Sequence, residues 1–99
     1  INNNLKESTF EEVNFNEVAN IIKYRCGVCH ASNPTYEGFE EPPIGIIFDT
    51  SQDIIKNIKG IKDQVIDSDI MPPGNITGIT ENERNILRIW IEKGSNTNN

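Results

Sequence analysis

The chain's only two cysteines and its only histidine fall within five consecutive residues, Cys26-Gly27-Val28-Cys29-His30. Two thiols three positions apart are too close to staple distant parts of a fold, and one pair is no disulfide framework. They mark a site, which the rest of the chain must be folded to serve. A length of 99 residues makes one domain with one core the default.

The segments flanking that pentapeptide carry helical periodicity. Asn14 followed by Glu17 has capping-box spacing, and Val18, Ile21 and Ile22 recur at i, i+3 and i+4, which predicts a short amphipathic helix running into Cys26. Thr50 or Ser51 caps a second helix, whose apolar positions Ile54, Ile55, Ile58, Ile61, Val65 and Ile66 predict one bent helix or two short ones, with Gly60 as the break. Thr80 with Glu83 is a capping box, Ile86, Leu87, Trp90 and Ile91 form an apolar stripe, and Gly94 is a ready left-handed stop. Between Ala31 and Asp49 the residues Pro34, Gly38, Pro42, Pro43 and Gly45 recur too often for a regular element, although Ile46 to Phe48 suits a brief extended stretch. A structureless loop that long is unusual unless functional. Residues 69–79 form a second constrained loop, since a helix cannot continue past Pro72 and Pro73.

No strand is strongly predicted, so the expected class is all-α, with three to five helices and long loops. Residues 1–13 read as a polar lead-in or linker remnant that docks at Leu5, Phe10 and Val13, residues 14–95 as the domain, and residues 96–99 as a polar tail. Opening at Ile1 without an initiator Met or a signal pattern, the chain is expected to be mature, truncated or excised.

Hydrophobic residues make up 35% of the chain, below the usual apolar share of roughly 45–50% even with the glycines added. The core is therefore expected to be completed by a bound group as well as by side chains. A net charge of −6 without any run of Lys or Arg argues against nucleic acid and against an anionic membrane surface. No apolar stretch approaches the roughly 18 residues of a spanning helix, so this segment is not expected to insert into a membrane.

Cys-x-x-Cys-His is the spacing of c-type haem attachment, in which two thiols add across two vinyl groups and the adjacent imidazole reaches the iron. The expected cofactor is one covalently bound haem c, on Cys26 and Cys29, with His30 as an axial ligand. A thioredoxin-like pair would need a βαβ context, and structural zinc would need four ligands where two cysteines and one histidine are available. Met71, the only methionine, is the candidate second axial ligand. A lone Met is more often core filler, but Pro72, Pro73 and Gly74 stiffen its loop, and it stands about forty residues after His30 with a helical segment between. A His/Met pair raises the reduction potential relative to His/His. The second ring nitrogen of His30 is expected to donate to a backbone carbonyl in Pro42-Pro43-Ile44-Gly45, which makes Pro43 part of the candidate site.

With those residues in hand the chain resembles a class I cytochrome c over nearly its whole length. The resemblance implies a first and last helix in close contact, with Ala19 as the small surface that Trp90 packs across; burial of Trp90 is equally what a plain core residue would show. A narrower resemblance rests on Arg25 to His30, Pro43 to Gly45, Met71 to Arg84 and Trp90 to Gly94. These segments are similar to the C-terminal cytochrome c domain of the bacterial membrane-bound urate oxidase family. That implies a membrane-embedded oxidoreductase domain as electron donor, in which urate is oxidised, and a downstream respiratory acceptor. Covalent haem attachment is normally made outside the bacterial cytoplasm, so the expected location is the periplasm, tethered to the inner membrane where a membrane part precedes the domain. The acidic stretch Glu37 to Glu41 departs from the pattern, and nothing in these residues recognises a purine. The domain alone is then a carrier, with catalysis left to its parent chain. Two alternatives remain: a free periplasmic cytochrome c shuttling between respiratory complexes, its acidic surface steering it to a basic partner, and a haem enzyme or sensor with Met71 displaced, for which no distal His or Arg is placed.

Overall fold

Three side-chain caps decide where the longer helices begin. The computed structural model describes residues 13–97; the expected lead-in over residues 1–12, with Leu5 and Phe10, and the last two residues of the polar tail lie outside them. Helix α1 spans Phe15–Arg25 and opens on a capping box in which Asn14 Oδ1 accepts from the Glu17 amide at 3.0 Å. Helix α2 spans Ser51–Lys56, capped by Thr50 with Asp53, and α3 is the single turn Ile58–Ile61. Helix α4 spans Glu81–Glu92 behind the Thr80–Glu83 box, and Gly94 follows it at φ +104°, a conformation that costs glycine no steric strain.

The chain is all-α, with no strand among the described residues. Its middle helix breaks at Asn57 and not at Gly60, which lies within α3. The Asn57 side chain donates to the Asp53 carbonyl at 2.8 Å, taking the local bond with which Asn competes against helix continuation. Beyond α3 the chain widens into a π turn over Lys62–Ile66, closed by a bond from the Asp67 amide to the Lys62 carbonyl at 2.8 Å. The periodicity of Ile61, Val65 and Ile66 contains no hint of that extra residue. Both proline-rich loops hold one short 3₁₀ turn, at Pro43–Gly45 and Pro73–Asn75.

The core is aliphatic and lies where α1, the middle segment and α4 meet: Val18, Ile21, Ile22, Ile54, Ile61, Val65, Ile79, Leu87 and Trp90 form one buried cluster. Each fully buried Ile or Leu in it contributes about 2 kcal/mol. Helix α4 packs on both α1 and the π turn. Trp90 is buried, as expected on either reading of it, and its ring neighbour is Phe15, with centroids 5.8 Å apart. Its indole N–H donates to the Asn96 carbonyl at 2.9 Å, which folds the start of the polar tail back onto α4. Val13, the described end of the lead-in, packs against the same cluster. No helix among the described residues is long and apolar enough to cross a membrane.

Candidate functional site

Helix α1 delivers the pentapeptide at its C-terminal end. The amides of Cys26 and Gly27 both donate to the Ile22 carbonyl, at 2.9 and 2.7 Å, and those of Cys29 and His30 both donate to the Cys26 carbonyl, at 3.2 and 2.9 Å. The chain therefore coils tightly through the motif. A Cβ on Gly27 would stand 2.9 Å from the Lys23 carbonyl oxygen, closer than real contacts allow, so only glycine fits between the cysteines' first turn and the helix.

Both thiols are free. Burial pushes the Cys26 thiol up to about 12; the neighbouring Cys29 adds to the rise and the Arg84 charge partly offsets it. Burial raises Cys29 as well. Thiols held protonated are the reverse of the depressed thiolate that thioredoxin-like chemistry uses, and no strand is present among the described residues to supply its βαβ context. For zinc, no three His, Cys, Asp or Glu side chains come together among the described residues.

The imidazole of His30 is oriented from the opposite loop. Its Nδ1 lies 3.0 Å from the Ile46 carbonyl, and because a carbonyl oxygen only accepts, Nδ1 is the donor; in the neutral ring that leaves the lone pair on Nε2. The carbonyl comes from Ile46, the residue just after the Pro42–Gly45 stretch expected to supply it; Pro43 starts the turn that leads to it and accepts from the Ile46 amide at 3.1 Å. The Phe48 amide donates to the His30 carbonyl at 2.8 Å, and the Phe48 ring meets the imidazole edge-on at 5.7 Å. Ser32 ties the same loop through the Asp49 carboxylate, its hydroxyl donating at 2.6 Å.

Met71 sits on the second proline loop, half-buried and packed against the core cluster, as is Cys26. Its amide donates to the Gln64 carbonyl at 2.9 Å, and its carbonyl accepts from Arg84 at 3.2 Å.

Two consecutive residues of α4 reach the two halves of this region. Glu83 accepts from Arg25, the residue before Cys26, at 3.0 Å from Nε and 3.3 Å from Nη2. Arg25 Nη1 also donates to the Thr77 carbonyl at 2.6 Å, and Thr77 returns a bond from its hydroxyl to the Arg25 carbonyl at 2.7 Å. Burial works to raise the Glu83 carboxyl, but the bonds from Arg25 and Thr80 and the Arg25 charge together hold it below the ordinary value. Arg84 spans the Val65 and Met71 carbonyls. Sequence reading treats Glu83 as a helix cap and Arg25 and Arg84 as motif letters; opposite charges beside Cys26 and in the first turn of α4 were the available signal.

The donor set fits a covalently attached haem. There are two unpaired thiols at the required spacing, an imidazole with Nδ1 engaged and Nε2 available, and a thioether on a separately anchored loop. Ile44 and Ile70 stand exposed beside Pro43 and Met71, one on each loop. A second feature, an apolar-lined groove of about 580 Å³ between α1 and residues 48–54, includes Phe15, Val28, Phe48 and Ile54 but not Cys26, Cys29, His30 or Met71. Comparisons with protein-family models, with curated proteins and with solved structures find no match for this chain.

Proposed function

We propose that the chain is a single-electron carrier of the c type, with one haem bonded through Cys26 and Cys29 and bound axially by His30 and Met71. More narrowly, we infer that it serves as the C-terminal cytochrome c domain of a membrane-bound urate oxidase, passing electrons from urate oxidation to a respiratory acceptor in the periplasm.

The observation that carries the first statement is the pentapeptide at the end of α1, with its imidazole already oriented by the Ile46 carbonyl. When bound, haem supplies an iron that cycles between ferric and ferrous. The chain's part is to hold it. Cys26 and Cys29 would tether it covalently, the Ile46 carbonyl engages His30 Nδ1 so that Nε2 would be the ligand atom, and Met71 would offer a soft neutral donor. The second statement rests on the Met71 to Arg84 string, whose residues here include Thr77, Glu83 and Arg84.

Intact mass of the chain matured in a periplasm tests the first statement: a gain of roughly six hundred daltons over the polypeptide is expected, and the bare mass would end it. Cys26→Ala should abolish normal attachment, and Met71→Ala should lower the reduction potential and open the iron to external ligands. The net charge of −6 favours the reading as a free shuttle docking on a basic partner. The upstream gene decides between them, since a membrane part encoded in frame supports the tethered domain and a signal peptide alone supports the shuttle.

A further inference from the structure

The π turn over Lys62–Ile66 ends with carbonyls that have no helical partner. The Gln64 carbonyl accepts from the Met71 amide at 2.9 Å. The Val65 carbonyl accepts from Arg84 Nη1 at 2.6 Å, and the same nitrogen donates to the Met71 carbonyl at 3.2 Å. One guanidinium nitrogen carries two hydrogens, enough for one bond to each carbonyl. Both peptide groups of Met71 are therefore anchored to the π turn, the first directly and the second through Arg84.

We propose that Arg84 is the positioning residue for Met71, pinning that residue to the end of the π turn and so setting how often its thioether leaves the iron. The clause about iron rests on the haem reading; the pinning does not. Pro72 and Pro73 stiffen the chain after Met71 but bond it to nothing, so without Arg84 the Gln64 bond is the one hydrogen bond left between Met71 and the π turn. The C-terminal end of a helical segment carries partial negative charge, so a cation is the natural bridge there.

Hydrogen exchange on the full chain reads the pinning directly. In Arg84→Gln the Met71 amide should exchange at least about tenfold faster, the size expected when a bond to a charged group is lost, while the Ile22 and Leu87 amides keep their protection. Arg84→Lys should fall between, and should be the variant measured if Arg84→Gln does not fold. Arg88→Gln is the control, because Arg88 lies one turn further along α4 and bonds only Asn85 and Glu92 among the described residues. Unchanged Met71 protection in Arg84→Gln or in Arg84→Lys, or loss shared equally with Leu87, would overturn the proposal. In the oxidised, haem-loaded protein, azide binds only when Met71 is off, so its apparent affinity should rise about tenfold in Arg84→Gln with haem content unchanged; unchanged affinity overturns the iron clause. A native chain that carries no haem mass fails the haem reading and leaves the exchange result standing.

Discussion

His30 follows Cys29 directly, whereas Met71 comes about forty residues later, and the bonds around each reflect that distance. The His30 flank is held by two backbone contacts, from Ile46 and Phe48, and by the exposed Ser32–Asp49 pair. Its loop tip, Ile44, is 85% exposed and lies at φ +48°, a left-handed conformation that is strained for a β-branched residue. The loop that carries Met71 is tied instead by charged bonds to separate elements: its Thr77 carbonyl to Arg25, which is itself paired with Glu83, and its Met71 carbonyl to Arg84, which also bonds Val65. A group placed by its neighbours in sequence needs little tertiary support. One that must be brought back across the fold needs clamps, because its loop-closure entropy is borne by contacts of long sequence separation.

If that contrast is right, substitutions on the Met71 flank cost stability and those on the His30 flank cost little or help. Arg25→Ala should have the largest effect, about 2 kcal/mol in urea unfolding, since it strands the half-buried Glu83 carboxylate and the Thr77 carbonyl together. A loss under about 0.5 kcal/mol would place that contact among ordinary surface pairs and break the comparison.

Glu83→Gln sharpens it through pH. Because the folded carboxyl lies below its ordinary value of 4.5, its contribution is present above that value and lost as pH falls through the folded one. The variant should be less stable than the native chain by about 1 kcal/mol at neutral pH, and the gap should close in acid. Thermal melts across the acid range check this; a gap that stays constant would remove the Arg25–Glu83 charge from the account.

On the other flank the sign reverses. Ile44→Asn should raise stability by about 0.5–1 kcal/mol by relieving the left-handed conformation at an exposed site, and denaturant melts would show it; a loss instead would mean that the Ile44 side chain packs on something. The smallest effect should be Ser32→Ala, within about 0.5 kcal/mol, because both partners are exposed.

Much of this was legible in advance, where the determinants are local. The caps Asn14, Thr50 and Thr80, the apolar stripe from Ile86 to Ile91 and the stop at Gly94 each depend on residues within one or two turns. The break at Asn57, where glycine propensity points to Gly60, shows the limit of local reading. Glycine's lowered propensity is a small average penalty, while the Asn57 side chain makes an actual bond to the Asp53 carbonyl. Similarly, the proline spacing points to the loop that orients His30 but to an acceptor a residue or more too early, since a 3₁₀ turn at Pro43–Gly45 carries the chain on to Ile46 before the carbonyl turns inward.

By itself the sequence determined the all-α class, the three capped helices and the pentapeptide that gathers every thiol and imidazole of the chain, because each is written in neighbouring residues. Only the tertiary structure decided that Glu83 and Arg84, side by side on α4, reach in two directions, to Arg25 beside Cys26 and to Met71. Two charges adjacent in a helix project about 100° apart, and which partners they meet depends on how α1, the π turn and α4 pack around the buried Ile22, Val65 and Leu87.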